Sequence, residues 1–126
     1  MSPLVAPPDA LDGFPSRLIR PTRRLYRIHQ HDRGPWWFSH DGSGRFDLAP
    51  PSGTCYLAAE PLGAFIEVFR EISFISRASV SARHISVLHV PRPVRLADCT
   101  VRQAHAYGVT AALHSSERYD LTQTWA

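Results

Sequence analysis

The stretch that decides the fold is GRFDLAPPSGTCYLAAEPLGAFIEVF at residues 44–69. Its first ten residues are rich in glycine and proline and predict a loop. The compact apolar run at 54–58 predicts a buried strand. Pro61 suits the first position of a helix, where a missing N–H leaves no hydrogen bond unmade, and we expect that helix to run to about Glu71. The stretch therefore predicts a loop, a strand and a helix in succession.

The chain on either side of this stretch predicts further short elements. Strands are expected where apolar and β-branched residues alternate or cluster, at 25–29, 85–90 and 94–96. Helices are expected at 101–106, between Thr100 as N-cap and Gly108 as stop, and at 118–126. Together these elements predict an α+β fold with a small mixed sheet and flanking helices.

Length and composition favour one globular domain. The chain has 126 residues, of which 44% are hydrophobic and 20% charged, and this balance excludes a disordered protein. Residues 1–16 hold four prolines, so we expect an irregular arm over 1–21 and one domain over 22–126. No apolar run reaches the roughly 18 residues of a membrane span, and the N-terminus lacks the features of a signal peptide. A cytoplasmic protein is the expectation.

All fourteen basic residues are arginine, and the net charge is +3. The planar guanidinium group suits phosphate recognition, so anionic partners are plausible. Six arginines fall between Arg17 and Arg33, which leaves open both a solvated basic segment and a nucleic-acid-binding surface. Arg27 lies in a predicted strand and Arg45 follows a glycine-rich turn. Each of these two arginines is a candidate for binding an anion.

The predicted helix carries a candidate carboxylate, Glu67. We expect the core side of the helix to be its apolar face, formed by Leu62, Phe65, Ile66 and Phe69. Glu67 lies roughly 140–150° away from that face at 100° per residue. A solvated surface carboxylate is one interpretation. Gly63 lies one turn earlier on the same side and favours a second interpretation, a functional carboxylate. The missing side chain at Gly63 leaves a groove where a ligand could approach Glu67.

Two sets of aromatic residues are candidates for binding. Tyr56 lies on the opposite strand face from its two neighbours and either fills the core or stacks on a flat ring in a cleft. The long loop at 34–53 carries Trp36, Trp37 and Phe38, which could anchor a partner protein. No metal site is expected, because the histidines match no metal-binding pattern such as HExxH.

Four motifs together resemble the RES domain. They are Leu-Tyr-Arg-Ile at 25–28, Gly-Arg-Phe-Asp at 44–47, Gly-Thr-Cys-Tyr-Leu-Ala at 53–58 and Pro-Leu-Gly-Ala-Phe-Ile-Glu-Val-Phe at 61–69. The resemblance covers about residues 22–126. It implies a fold similar to ADP-ribosyltransferase toxins and a toxin of a RES/Xre-type toxin–antitoxin pair, neutralised by a cognate antitoxin.

The resemblance also implies an activity and the residues that perform it. Family members consume NAD as a substrate, without cofactor or metal, by hydrolysis, phosphorolysis or transfer of ADP-ribose to a protein acceptor. Arg27 and Arg45 match the family's arginines and would hold the NAD diphosphate, and Arg45 would also serve in catalysis. Tyr56 would line the nicotinamide side. Glu67 matches the helix glutamate and would be the catalytic carboxylate.

The family's serine is expected in the C-terminal part of the domain. Ser115, Ser116 and Thr122 are the late hydroxyls, and Thr122 is the candidate that we retain. Residues 119–126 resemble a family helix that normally continues into further strands, so we expect that this chain lacks the C-terminal part. Stability would then depend on a partner or on the missing residues, and a homo- or hetero-oligomer is one expected assembly. A non-catalytic module that binds a partner through residues 36–38, or a basic nucleic-acid-binding protein, are the alternative functions.

Overall fold

Two structural units, each built from separated parts of the chain, make up the computed structural model, which describes residues 3–70 and 72–126. Unit 1 contains the described residues up to Ile19 together with Ser39–Thr54 and Val94–Ala126. Unit 2 contains Arg20–Phe38 and the described part of Cys55–Pro93. The elements in chain order are β1 (Ser16–Ile19), β2 (Leu25–Gln30), α1 (Pro61–Phe69), α2 (Arg77–Ser81), β3 (Arg83–Leu88), β4 (Val94–Ala97), a 3₁₀ helix (Arg102–Tyr107), α3 (Ala112–Ser115) and α4 (Tyr119–Trp125).

Unit 1 is built on an antiparallel pair of strands and a small apolar core. β1 pairs with β4, so that Ser16 lies opposite Ala97 and Ile19 opposite Val94. The buried core residues are Leu4, Ala104, Val109, Ala112 and Leu113. Leu4 and β1 both lie in the segment 1–21, for which we predicted an irregular arm. That prediction fails at β1 because the four-residue strand forms through a partner almost eighty positions away, which the local pattern does not reveal.

Unit 2 contains the second antiparallel pair, β2 with β3. Leu25 lies opposite Leu88 and Gln30 opposite Arg83, which confirms the two longer strands predicted from the sequence. α1 packs against β2 and α2 packs against β3. The α+β class with flanking helices is confirmed, with the strands divided between two two-stranded antiparallel sheets.

The strand predicted at 54–58 is wrong. Only its two ends pair, and each pairs with a different partner: Thr54 with Ser39, and Ala58 with Tyr26. Thr54 belongs to unit 1, whereas Cys55 begins a segment of unit 2, so the apolar run crosses from one unit to the other. No continuous ladder can form along it, and all five residues are half-buried.

α1 begins at Pro61 as predicted, but it buries a different face. It ends at Phe69, and the predicted end at Glu71 lies outside the described residues. Ala64 and Phe69 are its buried residues. Three of the four residues predicted to face the core are exposed instead: Leu62 (67%), Phe65 (38%) and Ile66 (50%). A sheet of two strands, about 5 Å apart, is too narrow to cover all four large side chains.

The C-terminal helices begin and end close to the predicted positions. Gly108 ends the 3₁₀ helix in the left-handed conformation (φ +99°), which confirms its role as a stop. Val101, and not Thr100, occupies the N-cap position. Thr100 instead donates its backbone N–H and its hydroxyl to Asp98, at 2.9 and 2.5 Å. α4 confirms the helix predicted at 118–126 to within one residue at each end.

Cys55 and Cys99 are both free thiols. Within residues 3–70 and 72–126, no helix has the length and apolar character needed to cross a membrane.

We expect Gly108→Ala to destabilise unit 1, because an alanine at φ +99° incurs the left-handed penalty of about 1–2 kcal/mol. Urea unfolding of the variant and of the wild type measures the difference. Gly34→Ala is the matched control, because a Cβ there meets no described atom within 4 Å and the backbone φ is not in the left-handed range. Equal losses of stability in the two variants would contradict the assignment of Gly108 as a conformational stop.

Candidate functional site

Unit 2 brings three of the predicted site residues onto neighbouring elements. Arg27 lies in β2. Tyr56 lies in the segment that reaches the edge of β2 at Ala58. Two backbone hydrogen bonds of 2.8 Å join Ala58 to Tyr26 of that strand. Glu67 lies on α1, which packs against the same strand. Tyr56 is half-buried and Glu67 is exposed. β2 is therefore the element that relates these three residues to one another.

Arg27 holds the neighbouring loop through a single nitrogen. Its Nη1 group donates to the carbonyl oxygens of Pro35 (3.2 Å) and Trp37 (2.5 Å) and to Sγ of Cys55 (3.1 Å). Nε and Nη2 donate to no acceptor among the described residues. Within the described residues, the protein therefore fixes the guanidinium group through its Nη1 side.

The acceptors of Arg27 are electrically neutral. Burial raises the pKa of the Cys55 thiol, and the nearby Arg27 charge opposes that rise without reversing it. The thiol is therefore protonated at neutral pH. In the described part of the chain Arg27 forms no ion pair, so no carboxylate compensates its positive charge. A half-buried, uncompensated guanidinium group is suited to an anion such as phosphate.

Arg45, in unit 1, is held in the same manner. Its Nη1 group donates to the carbonyl oxygen of Ser116, and its guanidinium carbon lies 5.0 Å from the centre of the Tyr119 ring. Both groups are neutral. Arg118 provides the contrast, because it forms an exposed ion pair with Asp120 at 2.7 Å. Arg45 thus has no carboxylate partner among the described residues, as Arg27 has none.

The acidic residues beside Arg45 are committed to the loop itself. Asp47 is buried, with 4% exposure, and accepts from the hydroxyl of Ser39 (2.7 Å) and the backbone N–H of Gly44 (3.0 Å). Asp41 accepts twice from Ser43, and these hydrogen bonds lower its pKa. Among the described residues, neither carboxylate forms an ion pair with Arg45.

Thr122 contacts the backbone of this loop. It is fully buried, and its hydroxyl donates to the carbonyl oxygen of Arg45. Gln123, which the sequence reasoning missed, donates to the carbonyl oxygens of Gly42 (3.0 Å) and Gly44 (2.9 Å). No local sequence signal marks Gln123, because its acceptors lie about eighty positions earlier in the chain.

Glu67 is an exposed carboxylate with no hydrogen-bond or ion-pair partner among the described residues. The groove that we expected beside it does not open at Gly63. A Cβ at Gly63 would lie 3.4 Å from Cβ of Ala58, so the glycine permits close approach of α1 to that segment. Glu67 is reached from the open surface of α1 and not through a gap left by Gly63.

Histidines cluster at one end of the β2–β3 pair. The His84 ring lies 6.2 Å from that of His29 and 5.9 Å from that of His31. Nε2 of His29 is 2.7 Å from the hydroxyl of Ser86, so this ring is engaged locally. Over the described ranges, no three His, Cys, Asp or Glu side chains are arranged to hold a metal ion.

The fold is that of a small α+β protein, and neutral groups hold the side chains of Arg27 and Arg45. Among family models, that of the RES domain matches residues 24–126. This chain therefore belongs to the RES domain family, a family known in toxin–antitoxin systems. No curated protein and no solved structure gives a significant match to the chain.

Proposed function

We propose that this chain is an NAD-consuming toxin domain that cleaves the bond between nicotinamide and ribose and is neutralised by a cognate antitoxin. One observation carries the proposal: Arg27 and Arg45, the two arginines that match the family motifs, are both oriented by neutral groups and keep uncompensated charges. Membership of the RES domain family supports the same substrate class.

Each arginine, within its own unit, is suited to a phosphate group such as those of the NAD diphosphate. A guanidinium group presents several N–H donors in one plane, and hydrogen bonds from a charged donor to phosphate are about twice as strong as neutral ones. Arg27 offers the edge formed by Nε and Nη2, because Nη1 is occupied. Arg45 is oriented by Tyr119 beneath its guanidinium plane. Binding at the diphosphate positions the reacting ribose, which lowers the entropic part of the barrier.

Glu67 supplies the negative charge that the reaction needs. The bond between C1′ of the ribose and the nicotinamide nitrogen breaks, and the electron pair leaves with nicotinamide, which becomes neutral. The ribose then carries positive charge, as in glycoside cleavage, and a carboxylate stabilises it. A water, a phosphate or a protein side chain completes the reaction by forming a new bond to C1′. Glu67 has no described partner to compete for its oxygens.

A second candidate function is partner binding without catalysis, which the loop at 36–38 favours. Trp36, Trp37 and Phe38 are 46%, 47% and 51% exposed, and Arg27 fixes the backbone beneath them through the carbonyl of Trp37. Aromatic anchors that are ordered before binding lose less entropy when a partner docks.

We expect Glu67→Gln to lower nicotinamide release from NAD by about a hundredfold or more, because the amide cannot stabilise the developing cation. The assay follows free nicotinamide with purified protein, with phosphate and candidate protein acceptors added in turn. Glu60→Gln is the matched control, since Glu60 is also exposed and its side chain makes no cap hydrogen bond. A wild type that releases no nicotinamide with any acceptor contradicts the proposed function.

For the partner-binding candidate, we expect Trp36→Ala and Phe38→Ala each to weaken the complex with the cognate antitoxin by about tenfold or more. Calorimetric titration measures the affinities. Phe74→Ala is the control, because Phe74 is 87% exposed and lies outside the loop. Equal affinity of all three variants and the wild type would rule out the loop as an anchor. NAD binding without turnover, together with loss of affinity in the loop variants, would favour this candidate over the enzyme.

A further inference from the structure

We propose that α4 positions the Arg45 loop for substrate and that Gln123 is a positioning residue for NAD binding. This inference rests on the proposed function, because it concerns how Arg45 is held ready for the diphosphate. Gln123 lies outside the four family motifs, and the proposed function gives it no role. Gln123 acts through Arg45 and does not itself touch the substrate.

Gln123 satisfies two carbonyl groups with one amide nitrogen. Nε2 lies 3.0 Å from the carbonyl oxygen of Gly42 and 2.9 Å from that of Gly44. A glutamine amide nitrogen carries two hydrogens, so each carbonyl receives one. The two glycines flank Ser43 in the turn that precedes Arg45, and Gly42 has a left-handed φ of +82°. Gln123 therefore spans the turn at the two points where its backbone is most free to move.

The residue before Gln123 continues the same contact. Thr122 donates its hydroxyl to the carbonyl oxygen of Arg45. Two consecutive residues of α4 thus bind the carbonyls of Gly42, Gly44 and Arg45. On the other side of the loop, Asp47 accepts from the N–H of Gly44 at 3.0 Å. The backbone on both sides of Gly44 is held by side chains.

The guanidinium group of Arg45 is held by the chain just before these residues. Tyr119, the first residue of α4, lies beneath the guanidinium plane, and the carbonyl of Ser116 accepts from Nη1. The segment 116–123 therefore contacts both the backbone of the Arg45 loop and the guanidinium group of Arg45. An arginine ordered before binding loses less entropy when it meets a phosphate.

The test is kinetic and uses the whole chain with NAD. We expect Gln123→Ala to raise KM for NAD by about tenfold with kcat within about threefold of wild type, since the loss concerns binding of the diphosphate. The dissociation constant for ADP-ribose should rise by a similar factor. Gln123→Glu keeps the shape but presents no donor at neutral pH, so it should raise KM at least as much.

One control variant and one exchange measurement separate positioning from a general loss of structure. Thr124→Ala removes a hydroxyl on the same helix that donates only to Asp120 of that helix, at 2.7 Å, and should leave KM unchanged. Thr122→Val removes the hydroxyl that reaches Arg45 and should raise KM, as Gln123→Ala does. Amide hydrogen exchange at residues 42–47, measured without NAD, should be faster in Gln123→Ala than in the wild type.

The outcomes distinguish this inference from the proposed function. A wild type that cleaves NAD, with Gln123→Ala and Gln123→Glu unchanged in KM, overturns the positioning role and leaves the proposed function intact. A fall in kcat with unchanged KM overturns it as well. A wild type that neither binds ADP-ribose nor cleaves NAD overturns the proposed function, and the positioning role with it, even if the exchange result holds.

Discussion

A positively charged guanidinium group held only by neutral acceptors is the constraint on which this structure depends. In unit 2, Nη1 of Arg27 joins three parts of the chain: β2, the loop that carries Pro35 and Trp37, and Cys55. Its removal would leave two carbonyls and a thiol without their donor, and an unmade hydrogen bond in a half-buried position costs about 1–3 kcal/mol. The same contact fixes the backbone of the aromatic loop at Trp37.

In unit 1, neutral groups also hold an arginine, but they are of a different kind. The Arg45 charge is directed by an aromatic ring and one carbonyl, while the neighbouring carboxylate, Asp47, is taken up by Ser39 and Gly44. A salt bridge between Arg45 and Asp47 would have fixed the side chain equally well, but it would have neutralised the charge. Structural support and an available charge are compatible here because the supporting groups are neutral.

The sequence predicts those features that depend on local chemistry. Pro61 and Gly108 mark a helix start and a helix end because their backbone preferences are intrinsic, and alternation identifies β2 without knowledge of its partner. The family motifs identify Arg27, Arg45, Tyr56 and Glu67 as candidates, but not what holds them. The strand predicted at 54–58 fails because the two ends of one apolar run pair with different strands. Gln123 cannot be found locally, because its acceptors are distant in the chain.

The measurement that tests the central claim most directly is the affinity of the protein for ADP-ribose, by calorimetric titration at low salt. Arg27→Ala and Arg45→Ala should each weaken binding by about tenfold or more, equivalent to about 1.4 kcal/mol. Arg118→Ala should leave it unchanged, because Asp120 already compensates that charge. If all three variants lose the same affinity, or none does, then neutral support of Arg27 and Arg45 does not define the binding site.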